Sequence, residues 1–313
     1  MSCASGPAAA SASPMSRYVR ANGLDFHYLE QGCGEPILLL HGFPDHAATW
    51  RPLAERLAPE FRLIAPDLRG YGFTSRPLEI ECYRLEHLID DVAAVIDALD
   101  LPMMHLCGHD WGGVLAFAFA EKHPHKAASL TVFNAPPPAV LQSMIWNDPR
   151  QRLASQYITM LRSAEADALF NEANVDALIE RFLGQPYRQG LLSDADIEAY
   201  RGAWTRKGVW QAMLAWYRAA PFDVPDLDAE FGNDFLNQLH IECPVQIIWG
   251  DQDAVFVPAM ADVIANACPE AILTRLPAAG HVPHRDAPER CAALITAFLA
   301  QHPIRSISKE VTE

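Results

Sequence analysis

Short, almost continuously apolar runs alternate with amphipathic stretches over the first part of the chain. Pro36–Leu40, Phe61–Ala65, Met103–Gly108 and Ser129–Phe133 have the pattern of strands buried on both faces of a parallel sheet. Between them, Arg84–Leu99 places Leu85, Leu88, Ile89, Val92, Val95, Ile96 and Leu99 on one helical stripe. Trp111–His123 reads as a second helix, halted by Pro124. This alternation predicts an α/β fold with a mostly parallel, doubly wound sheet and right-handed crossovers. Ahead of it, Arg17–Arg20 and Leu24–Leu29 flank Asn22-Gly23, a strong hairpin-turn signal.

The rhythm then breaks. Asn134-Ala-Pro-Pro-Pro138 stops the chain, and about a hundred residues follow with helical patterning and no convincing strand. Strand-like runs return at Pro244–Gly250 and Ala271–Leu276, before a closing helix over Asp286–Leu299. A helical insertion between two late strands forms a lid over the carboxyl ends of the strands, where open α/β sheets bind ligands. The expected organisation is a core of residues 16–136 and 237–303, a helical cap of residues 137–236, a disordered extension over residues 1–15 and a tail over residues 304–313.

Composition narrows the partners. Of 313 residues half are apolar, enough for a sizeable core, and the formal charge is −15. That charge argues against nucleic acid and anionic membrane surfaces, which need clustered Lys and Arg. Seven scattered cysteines with no C-x-x-C pair suit a reducing compartment, so a cytoplasmic location is expected. Oligomeric state is left open, with a homodimer allowed.

Gly108-His109-Asp110-Trp111-Gly112 falls where a strand ends and a helix begins. Small residues around a polar one permit a turn sharp enough to present that side chain alone, the geometry of a nucleophile elbow. Asp110 could serve as a helix cap, but capping does not call for glycines on both sides. His41-Gly42-Phe43-Pro44 follows an earlier strand, where the Phe43 N–H would join that of Trp111 in an oxyanion hole. His41 itself reads as structural. The loop after Pro244–Gly250 offers Asp251 and Asp253 as an orienting acid, and Asp253 has the room to reach back. His281 follows the next strand, where a base belongs. His284 is the rival base and reads as a solvated loop residue. Asn134 ends the strand before the lid and cannot act as a carboxylate. No His, Cys or carboxylate cluster has metal-ligand spacing, so no metal and no cofactor are expected.

With these motifs in place, residues 16–302 resemble the α/β-hydrolase superfamily, in the branch of epoxide hydrolases and haloalkane or haloacetate dehalogenases, and most resemble the epoxide hydrolases. Ala65–Gly72 is similar to a structural loop of that branch. The resemblance implies a covalent ester on Asp110, cleaved by water that His281 activates. It also assigns epoxide-holding roles to two lid tyrosines, Tyr217 in Trp216-Tyr217-Arg218 and Tyr157 in Ser155-Gln156-Tyr157-Ile158. The substrate implied is a small apolar epoxide contacted by Phe43 and Trp111, with water as co-substrate. An organohalide is the alternative. The dehalogenase pattern is met less well: Phe43 stands where many haloalkane dehalogenases have Asn, and Trp111 where haloacetate dehalogenases have Arg. Trp204, Trp210 and Trp216 remain as substitute halide donors.

Overall fold

Asn22 and Gly23 both adopt positive φ, 44° and 74°, as the two central positions of a tight hairpin turn require. The turn joins β1 (Met15–Ala21) to β2 (Leu24–Gln31) in antiparallel register, with Ala21 opposite Leu24. The computed structural model of the chain describes residues 13–232, 239–268 and 270–304. Met15 lies within β1, so the expected extension ends before it, and residues 1–12 fall outside the described residues. The cap boundary at residues 236 and 237, and the tail from residue 305, also fall outside them.

The apolar runs form β3 (Glu35–Leu40), β4 (Phe61–Pro66), β5 (Met104–His109), β6 (Ala127–Phe133), β7 (Val245–Gly250) and β8 (Ile272–Leu276). One eight-stranded sheet results, in the order β1-β2-β4-β3-β5-β6-β7-β8. All pairings beyond β2–β4 are parallel. Every residue of β5 and β7 is buried, because α1 (Arg51–Leu57), α2 (Leu85–Ala98) and α3 (Trp111–Lys122) help cover the faces of the sheet. α3 is buried from Trp111 to Ala120, which explains its lack of a polar stripe.

From β3 the chain steps to β4 on one side and to β5 on the other. The strand order therefore diverges between β3 and β5, and the loops after these strands meet there. Between β6 and β7 the chain is helical: α4 (Pro138–Asn147), α5 (Pro149–Ala154), α6 (Gln156–Arg162), α7 (Glu165–Leu169), α8 (Val175–Arg188), α9 (Asp194–Trp204) and α10 (Val209–Ala219). α11 (Ala259–Ala267) follows β7. Among the described residues no helix is long and apolar enough to cross a membrane.

The closing helix departs from expectation. It is split into α12 (Pro283–Asp286) and α13 (Pro288–Leu299), with Ala287 at φ −142° between them. Pro288 has no N–H to continue the ladder and pushes its predecessor out of helical geometry.

The Ala65–Gly72 loop is held by charge. Asp67 is fully buried and accepts from the Ala47 N–H at 2.7 Å and the Phe73 N–H at 2.8 Å, with His27 Nδ1 at 2.7 Å. Burial alone would raise its pKa, but His27 and its histidine neighbours overcome that and hold it well below the usual carboxylate range. Two residues on, Arg69 grips Asp91 of α2 through two 2.6 Å hydrogen bonds.

Candidate active site

Asp110 sits at the end of β5 and the start of α3 with φ 51° and ψ −125°, a conformation that L-residues rarely adopt. The surrounding glycines make the turn feasible. A Cβ on Gly108 would strike the Gly112 backbone, and one on Gly112 would strike the Leu40 carbonyl. Gly42 lies so close to Asp110 that a Cβ there would overlap its carboxylate. The sharp turn leaves the Asp110 carboxylate in hydrogen-bond reach of the β3 loop: the Phe43 N–H donates to Asp110 Oδ1 at 2.7 Å. The Trp111 N–H is an orphan donor in the first turn of α3.

The structure brings the expected acid and base to the same point. His281 Nε2 lies 3.6 Å from Asp110 Oδ2, and His281 Nδ1 lies 2.9 Å from Asp253 Oδ2. Asp253 is fixed by more than the histidine: its Oδ1 accepts from the Val255 N–H at 2.6 Å, and its Oδ2 accepts from Asn134 at 2.7 Å. Asp251 instead pairs with Arg275 at 2.6 Å, in the turn.

These contacts set the charges. Burial disfavours an ionised Asp110, but His281 and the Phe43 N–H outweigh it and lower its pKa. Asp253 is lowered in the same way, against burial, by His281 and Asn134. Burial works against an imidazolium at His281, yet Asp253 and Asp110 raise its pKa to about 10. The three groups thus form a carboxylate–imidazolium–carboxylate array.

Tyr157 of α6 and Tyr217 of α10 line the same cavity as Asp110, His281 and Phe43, a space of about 450 Å³. The two phenol rings are 6.0 Å apart and nearly perpendicular. Burial, with Asp110 nearby, pushes both pKa values further above 10, so both phenols keep their protons. Tyr217 is also part of the buried stripe with Trp210, Met213 and Leu214; packing and exposure to the cavity coexist in one residue. Trp111 packs on Trp216, Tyr217 and Phe222, whereas Phe43 lines the cavity.

The lid indoles considered as halide donors are engaged elsewhere. Trp204 donates to the Pro44 carbonyl at 2.9 Å, Trp210 to the Trp204 carbonyl at 3.1 Å and Trp216 to the Arg69 carbonyl at 2.9 Å.

His284 is not a solvated loop residue. It is fully buried and stacked on Trp50 with ring centroids 4.1 Å apart. Burial and the neighbouring histidines lower its pKa well below the ordinary value. The short α12, which turns inward after Val282, is what buries it. His41 accepts from the Leu68 N–H at 3.0 Å and approaches the Gly42 carbonyl at 2.9 Å, a structural arrangement.

Sequence spacing also missed a buried group. Ligand-capable atoms of Asp45, His109 and His284 lie within 4.8 Å of one another, although they come from the loop after β3, the end of β5 and α12. The donor set does not fit a metal. Asp45 accepts from Tyr200 at 2.5 Å and from Thr49 at 3.2 Å, and His109 Nε2 donates to the His281 carbonyl at 2.8 Å. Two ring nitrogens, Nδ1 of His109 and of His284, are left without partners, fewer than a three-ligand site needs. Asn134 is a second omission. Its role as a prop for Asp253 depends on a contact across 119 positions, for which its own sequence carries no signal.

Comparison with known proteins agrees with the fold. Residues 35–288 match the family model for the alpha/beta hydrolase fold. The chain is 30% identical to the AB hydrolase superfamily protein YfhM of Bacillus subtilis, over 90% of this chain and 97% of that protein. It is 31% identical to Epoxide hydrolase 4 of Mus musculus, over 92% of this chain and 79% of that protein. It superposes on an epoxide hydrolase from Bacillus megaterium, solved with an inhibitor, with TM-score 0.82 and 31% identity, covering 91% of this chain and all of the other. With the elbow, the eight-stranded sheet and these relatives together, the chain belongs to the α/β-hydrolase superfamily, as a hydrolase of the branch in which the epoxide hydrolases lie.

Proposed function

We propose that this hydrolase opens an epoxide to a vicinal diol through an ester on Asp110. The observation that carries this reading is the meeting of two protonated phenols, Tyr157 and Tyr217, with an ionised carboxylate in one cavity. An epoxide oxygen stays attached to the product as it leaves carbon, so its negative charge must be met by a proton donor. Relatives named as epoxide hydrolases support the same substrate class.

In the first step an Asp110 oxygen bonds to an epoxide carbon and the carbon–oxygen bond breaks. A tyrosine hydrogen-bonds the departing oxygen and gives it a proton. The ester has no charge at Asp110, so one of the influences holding the proton on His281 disappears. The imidazolium can then return a proton to the phenolate, leaving neutral His281, oriented by Asp253, as a base. It takes a proton from water, which attacks the ester carbonyl. The Phe43 and Trp111 N–H groups hold the oxyanion; as it collapses, the imidazolium gives its proton to the departing ester oxygen, the diol leaves, and the new Asp110 carboxyl group returns a proton to His281, restoring the resting array.

The dehalogenase alternative needs two donors for a halide. With the indoles of Trp204, Trp210 and Trp216 bonded to backbone carbonyls, it has lost its substitutes for the missing Asn. An esterase would require Asp110 to form an anhydride, and a non-catalytic binding protein has no use for an intact acid–base array. Assay of styrene oxide, a haloalkane, a haloacetate and an aryl ester side by side discriminates these readings. Diol formation from styrene oxide is the expected result; halide release with no diol would replace the epoxide reading by the dehalogenase one.

A further inference from the structure

The cavity around Asp110 is not uniformly apolar. Alongside Phe43, Tyr157, Met160, Phe170 and Phe182, it is lined by Arg285 from α12 and Arg181 from α8. Arg285 has a side chain only 12% exposed. Its Nε is buried with no hydrogen-bond partner, and its nearest carboxylate, Asp286, is 3.8 Å away, too far for a hydrogen bond. The two fully buried arginines are held by acceptors, Arg69 by Asp91 and the Cys82 carbonyl and Arg152 by carbonyls of Ile145, Trp146 and Ala229, whereas half-buried Arg206, like Arg285, has an Nε without a partner. A guanidinium is always charged and presents planar donors suited to a carboxylate. Among the described residues Arg285 is held only by a long ion pair with Asp286 at 3.8 Å, so its guanidinium retains capacity for a carboxylate entering the cavity.

Asp45, on the same wall, makes no direct contact with Arg285. Both Asp45 oxygens already accept from hydroxyls, those of Tyr200 and Thr49, and no Arg285–Asp45 pair lies within 4.0 Å among the described residues. Arg181 is exposed and in contact with the Phe182 ring at 5.8 Å, adding a second positive charge to the same lining.

We propose that the cavity selects an epoxide bearing a carboxylate, with Arg285 binding the anion while the epoxide faces Asp110 and the tyrosines. This rests on the epoxide-hydrolase reading for its reactive end and adds the substrate class at its other end. Arg181 draws the anion in and Arg285 fixes it. The apolar side chains between them take the body of the molecule.

Calorimetry with two product-like diols tests the anion site without relying on turnover. The probes are 4-(1,2-dihydroxyethyl)benzoate and its neutral amide. The wild-type protein is expected to bind the carboxylate about tenfold or more tightly than the amide. R285Q should erase that preference, and R285K, which keeps charge but not the fork, should retain part of it. Equal or weaker binding of the carboxylate by the wild type overturns the proposal, as does a preference that survives R285Q intact. The wild-type ranking decides the matter even if R285Q does not fold. Turnover of the matching epoxides, run in parallel, separates the two claims. Diol formation without carboxylate preference removes the anion site alone. Carboxylate preference without diol formation keeps the site and removes the epoxide reading.

Discussion

Asn134, at the end of β6, braces the β7 loop that carries the acid: its side-chain nitrogen donates to Asp253 Oδ2 at 2.7 Å, and its oxygen accepts from the Gly250 N–H at 2.7 Å. The residue adopts φ 36° and is fully buried. A side chain that cannot be the acid thus holds the acid in place. Asn134→Ala removes a donor from Asp253 and leaves the Gly250 N–H unpaired. Stability should fall by about 1–3 kcal/mol, measured by urea unfolding, and diol formation should fall with it. Unchanged values for both would reduce Asn134 to a packing residue.

The phenols carry the distinction between an epoxide and a halide. Tyr217→Phe keeps the ring contacts with Phe43 and Trp111, 5.2 Å and 5.4 Å between centroids, and deletes only the donor. Epoxide opening should slow about 100-fold, read in single-turnover experiments. An unchanged rate would leave Tyr217 with its packing role alone.

His281 links charge to stability. Its pKa in the fold is raised to about 10, above the ordinary value near 6.5. A raised pKa means that the folded state binds the proton more tightly. The contribution is therefore fully present below about pH 6.5 and is lost as pH rises through about 10. The stability difference between wild type and His281→Gln should shrink across that window. Asp110→Asn, which imitates the uncharged ester, should lower the imidazole pKa, read by NMR titration of the ring. A pKa unmoved by this change would remove the argument that ester formation frees His281 as a base.

Asp67 works in the opposite direction. Its folded pKa is depressed, so its stabilisation is present above the unfolded value near 3.9 and is lost as pH falls toward the folded one. Asp67→Asn places a donor where Phe73 N–H and His27 already meet Oδ2. The variant should lose about 2–3 kcal/mol at neutral pH and show a flatter acid limb in its stability profile.

Much of this site was legible because its chemistry coincides with local sequence signals. Asp110 is bracketed by glycines whose absence of Cβ the turn demands, and Asp253 and His281 follow recognisable strands. Tyr217 lies on a helix, Val209–Ala219, within the stretch whose patterning reads as helical. What escaped was set by contacts distant in sequence. His284 looked solvated because nothing nearby announces the Trp50 ring it stacks on. The lid tryptophans looked available because two of their carbonyl partners, Pro44 and Arg69, lie outside the lid. Arg285 gave no signal at all, since a loop arginine is ordinary until a cavity forms around it. The break at Ala287 was readable in principle from Pro288, but the apolar stripe of α13 drew the helix through it.

The covalent ester on Asp110 is the claim on which the rest depends. One turnover of the wild-type enzyme on styrene oxide in ¹⁸O-labelled water tests it most directly, with mass spectrometry of both diol and protein. The account predicts a first diol whose new oxygen is unlabelled, taken from the Asp110 carboxylate, and label in the Asp110 side chain. Label in the diol with none in Asp110 would mean that water attacks the epoxide directly, and would contradict it.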